Sequence, residues 1–387
     1  MDEVALRADA ALGDEQEACF LIDESSFAKK GEESVGVARQ WSGREGKVDN
    51  CQVAVFGCLS QGEHAALVDT RLYLPKEWIE DPERCRKAKV PDEEIVQRSK
   101  ADLGLEMVRH AREIGLRFGW VGADAGYGKD PGFLRALDAS GEQFIVDVHK
   151  DQRVYLEDPA PYLPEPKTAG GKPPSRRVTE AKVQRVDAWA KRQPRSSWSK
   201  VRLRESTKGT LRIDVLHRYV WVWDGEEENV HRWHLIVSRE TRSQATVKYA
   251  LSNMPLSLSV PRLARMLRQR YWIERSFQDS KSECGLGEYQ TRGWVAWHHH
   301  MALVMMALQF MLEERLQQKA EQPLLSCSDI ETLLAHILPR RDVTLEEVVR
   351  QMEVRHQQRQ DAIEAAYAAQ RNRKLLNDST LGRGRPK

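Results

Sequence analysis

The sequence predicts an α/β chain, a mixed sheet flanked by helices and interrupted by a β-rich insertion before its last core helices. Three observations lead there. Two short apolar runs, Ala18–Ile22 and Phe118–Ala123, each stop at an aspartate, Asp23 and Asp124. Asp102–Ile114 places Leu103, Leu105, Val108, Ala111 and Ile114 at helical spacing. A third acid, Glu274, lies in a basic, helix-like segment from Arg262 to Lys281.

The elements follow in order. Asp2–Gly13 reads as one amphipathic helix, within an N-terminal segment 1–17. Strand one ends at Asp23 and gives way to a polar turn, Ser25–Gly31. Asn50–Leu59 and Ala65–Leu74 are β-rich runs joined by Ser60-Gln61-Gly62-Glu63, a hairpin turn. After the Asp102–Ile114 helix come the strand to Asp124, a helix through Phe133, Leu134 and Leu137, and the strand Phe144–Val148. Three antiparallel-type strands, helix, strand, helix, strand is the order of an RNase H-like domain, whose first part is residues 18–149. From 150 to 255 the character changes. Pro159–Pro166 and Gly170–Pro174 are loop composition, and strand-like alternation follows in Leu211–Leu216, Tyr219–Trp223 and Trp233–Val237. This Trp-rich block is the insertion; the core resumes with helices over 256–316. Residues 317–387 form a polar helical segment with a basic tail.

Composition narrows the class. A chain of 387 residues can bury a full core, as one large domain with an insertion or as two domains. Its 60 Lys and Arg against 58 Asp and Glu give a net charge of +2, so local charge matters more than the total. No signal peptide and no apolar run long enough to span a bilayer appear, and Met301–Leu312 reads as a buried helix. Six scattered cysteines without Cys-x-x-Cys spacing argue against structural zinc and for reduced thiols in the cytoplasm. His298-His299-His300 cannot chelate one ion, because consecutive helical residues point about 100° apart. His231 and His234 have the wrong parity for a strand pair, and both groups read as surface or interface histidines.

An Asp at a strand end is often only a turn or cap residue. Two of them with a helical Glu can instead converge on a pair of hard divalent cations, which stabilise the attacking and leaving oxygens of a phosphodiester. Arg270, Glu274 and Lys281 stand at i, i+4 and i+11, on about one helix face. That suits a metal ligand beside phosphate-binding cations, and equally an ordinary charged helix with an Arg–Glu pair.

Arg270-x-x-x-Glu274-x-x-x-x-x-x-Lys281, with Tyr271-Trp272-Ile273 inside it, resembles the Tyr-x-x-Arg-x-x-x-Glu-x-x-x-x-x-x-Lys signature of bacterial insertion-sequence DDE transposases. Leu21–Gly31, Ser34–Gln40 and Lys47–Val53 are similar to the segments around that family's first Asp, and Ala123–Gly128 to its second. The likeness runs from about residue 19 to 312. One departure is that the signature Tyr falls at Leu267, with Tyr271 one turn away. The resemblance implies Asp23, Asp124 and Glu274 as catalytic ligands of two Mg²⁺ or Mn²⁺ ions, with Arg270 and Lys281 on DNA phosphates. It implies cleavage at element ends, joining of 3′-hydroxyls to target DNA, a homodimer in the DNA complex, no membrane, and a nucleoid-associated protein of the cytoplasm. Rival readings are an RNase H-like nuclease without strand transfer and a transposase-derived DNA-binding protein. In hairpin-forming relatives an insertion aromatic stacks on a flipped base, making Trp189, Trp198, Trp221, Trp223 and Trp233 candidates, although Trp221 and Trp223 on one strand face suit a core better. Arg383-Gly-Arg385-Pro-Lys387 resembles a minor-groove hook and reads equally as a solvated basic tail. With one short acidic helix before the first strand, the chain is expected to lack most of an N-terminal DNA-binding region and to discriminate poorly between DNA sequences.

Overall fold

The computed structural model describes residues 1–387 except 44, 166–173, 205–208, 226, 242–246, 340–343 and 382–387. Arg383 and Arg385 therefore lie outside the described residues, as does most of the Gly170–Pro174 loop. The described chain forms two compact units, Met1–Glu331 and Thr332–Lys387.

The first unit opens with α1 (Asp2–Leu12), β1 (Asp14–Ala28), β2 (Ala38–Ser42), β3 (Lys47–Gln61) and β4 (His64–Leu72). Short helices α2 (Lys76–Ile79) and α3 (Pro82–Lys87) precede α4 (Lys100–Glu113). Ser99 starts α4 through a reciprocal capping box with Asp102, which satisfies donors the first turn would otherwise leave open. Then come β5 (Phe118–Ala123), α5 (Ala125–Gly128), α6 (Pro131–Ala139) and β6 (Phe144–Val148). β7 (Arg153–Tyr155), β8 (Val183–Arg185), α7 (Val186–Lys191), β9 (Ser199–Arg204), β10 (Leu211–Val222), β11 (His231–Glu240) and β12 (Val247–Ser252) follow. The unit ends with α8 (Val260–Arg268), α9 (Tyr271–Glu283), α10 (Trp294–Gln317) and the start of α11 (Cys327–Ile337). The second unit holds the end of α11 and the long α12 (Leu345–Leu381).

One sheet organises the first unit, in the order β2-β3-β1-β5-β6-β12-β11-β10-β7-β8, with β4 on β3 and β9 on β10. β1, β5 and β6 are mutually parallel; β3 and β12 flank them antiparallel. This mixed α/β sheet between helices is consistent with an RNase H-like fold. Alternation along β1 sends Phe20 and Ile22 into a core layer with α1, α4 and α6, and Cys19 and Leu21 into a second layer with α8, α9 and α10. Both faces are thus buried, as a parallel centre requires.

Several expectations need correction. β1 does not stop at Asp23: β3 keeps pairing with it as far as Ala28↔Cys51, so the ladder outlasts the apolar run. The basic segment 262–281 is two helices, not one. Gln269 N donates to Met266 O at 3.0 Å and Trp272 N to Gln269 O at 2.9 Å, a tightened turn between α8 and α9. Leu211–Val222 is one strand rather than two, because β11 pairs with it continuously from Ile213↔Glu240 to Val222↔His231. His234 is not at the surface. It is fully buried, with Nδ1 2.8 Å from His217 Nε2 and Nε2 3.0 Å from Met254 O. The apolar run around Met301 belongs to a 24-residue helix, α10, long and apolar enough to cross a membrane by length and composition. Trp297, Met301, Met305 and Leu308 on α10 lie buried in the second core layer.

Candidate active site

Register places the acids before any side chain is considered. β1 and β5 pair for the last time at Ile22↔Ala123, and β5 and β6 at Ala123↔Val146. The next residues are Asp23, Asp124 and Asp147, so three carboxylates form one row where the parallel strands part. Adjacent strands lie about 4.8 Å apart, which sets the spacing of the row. Ile22, Ala123 and Val146 point into the first core layer. Their successors therefore face the other side of the sheet, where α8 and α9 pack. The carboxyl ends of parallel strands are where open α/β sheets bind ligands.

Each member is held differently. Asp23 Oδ1 accepts from Glu24 N at 2.7 Å. Asp124 caps α5, accepting from Gly126 N at 2.8 Å and Tyr127 N at 3.4 Å. Gly128, at the end of α5, lies against β6 so closely that a Cβ there would sit 1.9 Å from the Asp147 carbonyl oxygen. The glycine thus fixes the distance between the Asp124 turn and the Asp147 strand.

Arg270, between α8 and α9, ties the acids together. Its Nη1 is 3.2 Å from Asp23 Oδ2, its Nε 3.3 Å from Asp147 Oδ2 and its Nη2 3.0 Å from Glu274 Oε1. Asp147 is buried, whereas the Glu274 side chain is 52% exposed. Burial pushes the Asp23 carboxyl up to about 7; Arg270 opposes this, and the charges of Asp124 and Glu274 add to it. Burial likewise raises Asp147. For Arg270, burial works against the charge, but Asp147, Asp23 and Glu274 outweigh it and raise its pKa.

Arg270 is in direct contact with both Asp23 and Glu274, and Asp124 is next to Asp23 in the row. Lys281 lies further along α9, half-buried, its ammonium 5.8 Å from the Phe277 ring centroid. Leu267 is buried in the core, while Tyr271 is 45% exposed and lines a cavity of about 230 Å³ with Asp147, Arg270 and Glu274. Tyr271 thus borders this cavity from the neighbouring turn. Among the insertion tryptophans, Trp189, Trp223 and Trp233 are buried. Trp198 is partly buried under Arg239, whose guanidinium carbon is 3.8 Å from its ring centroid. Trp221 is partly exposed beside Arg232.

Sequence reasoning did not single out Asp147. The signal was present, an acid inside the otherwise apolar run Phe144–Val148, but only strand register shows that it stands beside Asp124. The donor set suits a hard divalent cation: every acid offers oxygen, and Asp147 Oδ1 is buried without a hydrogen-bond partner among the described residues. Among those residues no three potential ligands are drawn tightly enough together to cage an ion, since Arg270 holds three of the acids through separate nitrogens.

The profile of the DDE superfamily endonucleases matches residues 1–210. The chain is also 22% identical, over 274 residues, to a probable transposase for insertion sequence element IS701 from Microchaete diplosiphon. That alignment covers 70% of this chain and 59% of the relative.

Proposed function

The chain belongs to the DDE superfamily endonucleases, and from that premise we propose that it is an insertion-sequence transposase, cleaving DNA at element ends and joining the freed 3′-hydroxyls to target DNA. What supports this reading is that Asp23 and Asp124 follow the last paired residues of adjacent parallel strands, and that Arg270 bridges Asp23 to Glu274 of α9. Asp23, Asp124 and Glu274 would hold two Mg²⁺ or Mn²⁺ ions, with Asp147 next to Asp124 in the row. Bound there, the cations supply charge neutralisation at the attacking and leaving oxygens. Arg270, paired with Asp23, Asp147 and Glu274, offsets the repulsion among these acids and would stand beside a bound phosphate. Lys281 extends the same helix face toward DNA. Residues 150–255 are, on this reading, the insertion between the second Asp and the final Glu.

Strand transfer separates this reading from a plain nuclease. DNA ending in a labelled 3′-hydroxyl at the element's terminus, incubated with plasmid and Mg²⁺, should yield labelled joined product. Nicking without any joined product would reduce the protein to an endonuclease.

A further inference from the structure

A second cleft, of about 460 Å³, opens beside the carboxylate site and shares Arg268 and Tyr271 with the cavity that holds Glu274. Its wall combines aromatic surface with cations, two of which pair with acids of the same wall, Arg262 with Glu17 and Arg204 with Glu63. Arg204, at the end of β9, puts its guanidinium carbon 4.9 Å from the Tyr271 ring centroid and 4.7 Å from that of Trp272. Arg265 is exposed on α8 at the rim. Two hydrogen-bonding atoms of the lining are buried without partners among the described residues, Arg268 Nε and Gln269 Oε1. Both atoms are shielded from solvent, so a ligand in the cleft would satisfy them only if the two side chains turn outward.

The geometry points to a binding site for an unpaired stretch of DNA strand, entered from the scissile phosphodiester. Arg268 and Arg265 would meet its phosphates, Tyr271 and Trp272 would flank the one base that the cleft admits, and Gln269 would face the edge of that base. Size favours single-stranded over double-stranded DNA. The cleft lies in the range of small-ligand pockets and fits about one nucleotide, whereas a duplex would need a far wider groove. The composition agrees, because single-stranded DNA is held by stacking platforms in cationic grooves, with little dependence on sequence. The tightened turn at Gln269 makes the arrangement possible: it lets α8 carry the cations and α9 the aromatics onto one cleft. The site rests on the reading that Glu274 and Arg270 face DNA.

The test uses the full chain, Ca²⁺ in place of Mg²⁺, and duplex DNA with either a paired or a three-nucleotide unpaired flank carrying 2-aminopurine. The parent should quench the fluorophore and prefer the unpaired flank by roughly tenfold, the scale of one stacked base. Tyr271→Ala and Trp272→Ala should each erase most of that preference, and Trp272→Phe should keep it. Equal affinity for both flanks, or a preference that survives both alanine variants, would overturn the proposal. Mg²⁺-dependent nicking of the same DNA is measured in parallel. Quenching without nicking would leave the cleft standing and remove the transposase reading; nicking without quenching would do the reverse.

Discussion

Replacing Asp23 by Asn is expected to make the cation-free protein more stable above pH 7. In the folded chain the carboxyl titrates at about 7 rather than at its ordinary 3.8, burial being the main cause. Between those values the native state binds a proton that the unfolded state has lost. Stability therefore falls as pH rises from about 4 to about 7 and is flat above. At about 1.4 kcal/mol per pH unit, the full penalty is about 4 kcal/mol. Asn carries no charge to desolvate, keeps an oxygen for the Glu24 N–H, and leaves Arg270 with Asp147 and Glu274. Urea unfolding in chelator at pH 5 and pH 8 measures the effect. The variant should gain up to about 4 kcal/mol over the parent at pH 8 and much less at pH 5. Parallel pH profiles, or a variant less stable than the parent at pH 8, would refute the claim that Asp23 is buried among like charges. Added Mg²⁺ should then narrow the gap, because only the parent gains binding energy, about 2.7 kcal/mol at a hundredfold excess over Kd.

Other consequences can be checked in the same way. Arg270→Ala leaves Asp23 and buried Asp147 without their cation, and should cost about 3 kcal/mol in chelator by urea unfolding, more at pH 8 than at pH 5. A loss independent of pH would mean that Arg270 acts by packing alone. Gly128→Ala drives a methyl into the Asp147 carbonyl, and should cost about 3 kcal/mol by the same measurement; a neutral result would show that α5 can move away from β6. Lys281→Ala should lower the salt dependence of DNA binding by about 0.9 in log–log slope, as for one lost phosphate contact. An unchanged slope in a filter-binding titration would leave Lys281 as a helix-surface charge.

Legibility in the sequence divided along physical lines. Elements with strong periodicity and local stop signals, such as α4 with its Ser99 cap and the β3–β4 hairpin around Gly62, could be read within a few residues. What failed depended on partners distant in sequence. β1 runs on past Asp23 because β3 accompanies it, and β10 is continuous because β11 is. The break at Gln269 has no Gly or Pro to announce it. Asp23, Asp124 and Glu274 stood out through their settings, but Asp147 gained meaning only from the register of β6 on β5. His234 looked polar by type and proved to be a buried hydrogen-bonded ring, since parity along β11 could not tell which face was covered.

The central claim is that Asp23, Asp124 and Glu274 act together on a phosphodiester. The most direct measurement is Mg²⁺-dependent nicking of end-containing DNA by the parent and by Asp23→Asn, Asp124→Asn and Glu274→Gln. The account predicts nicking by the parent alone, with DNA binding retained in all four proteins. Nicking near the parent rate by any one variant would contradict it.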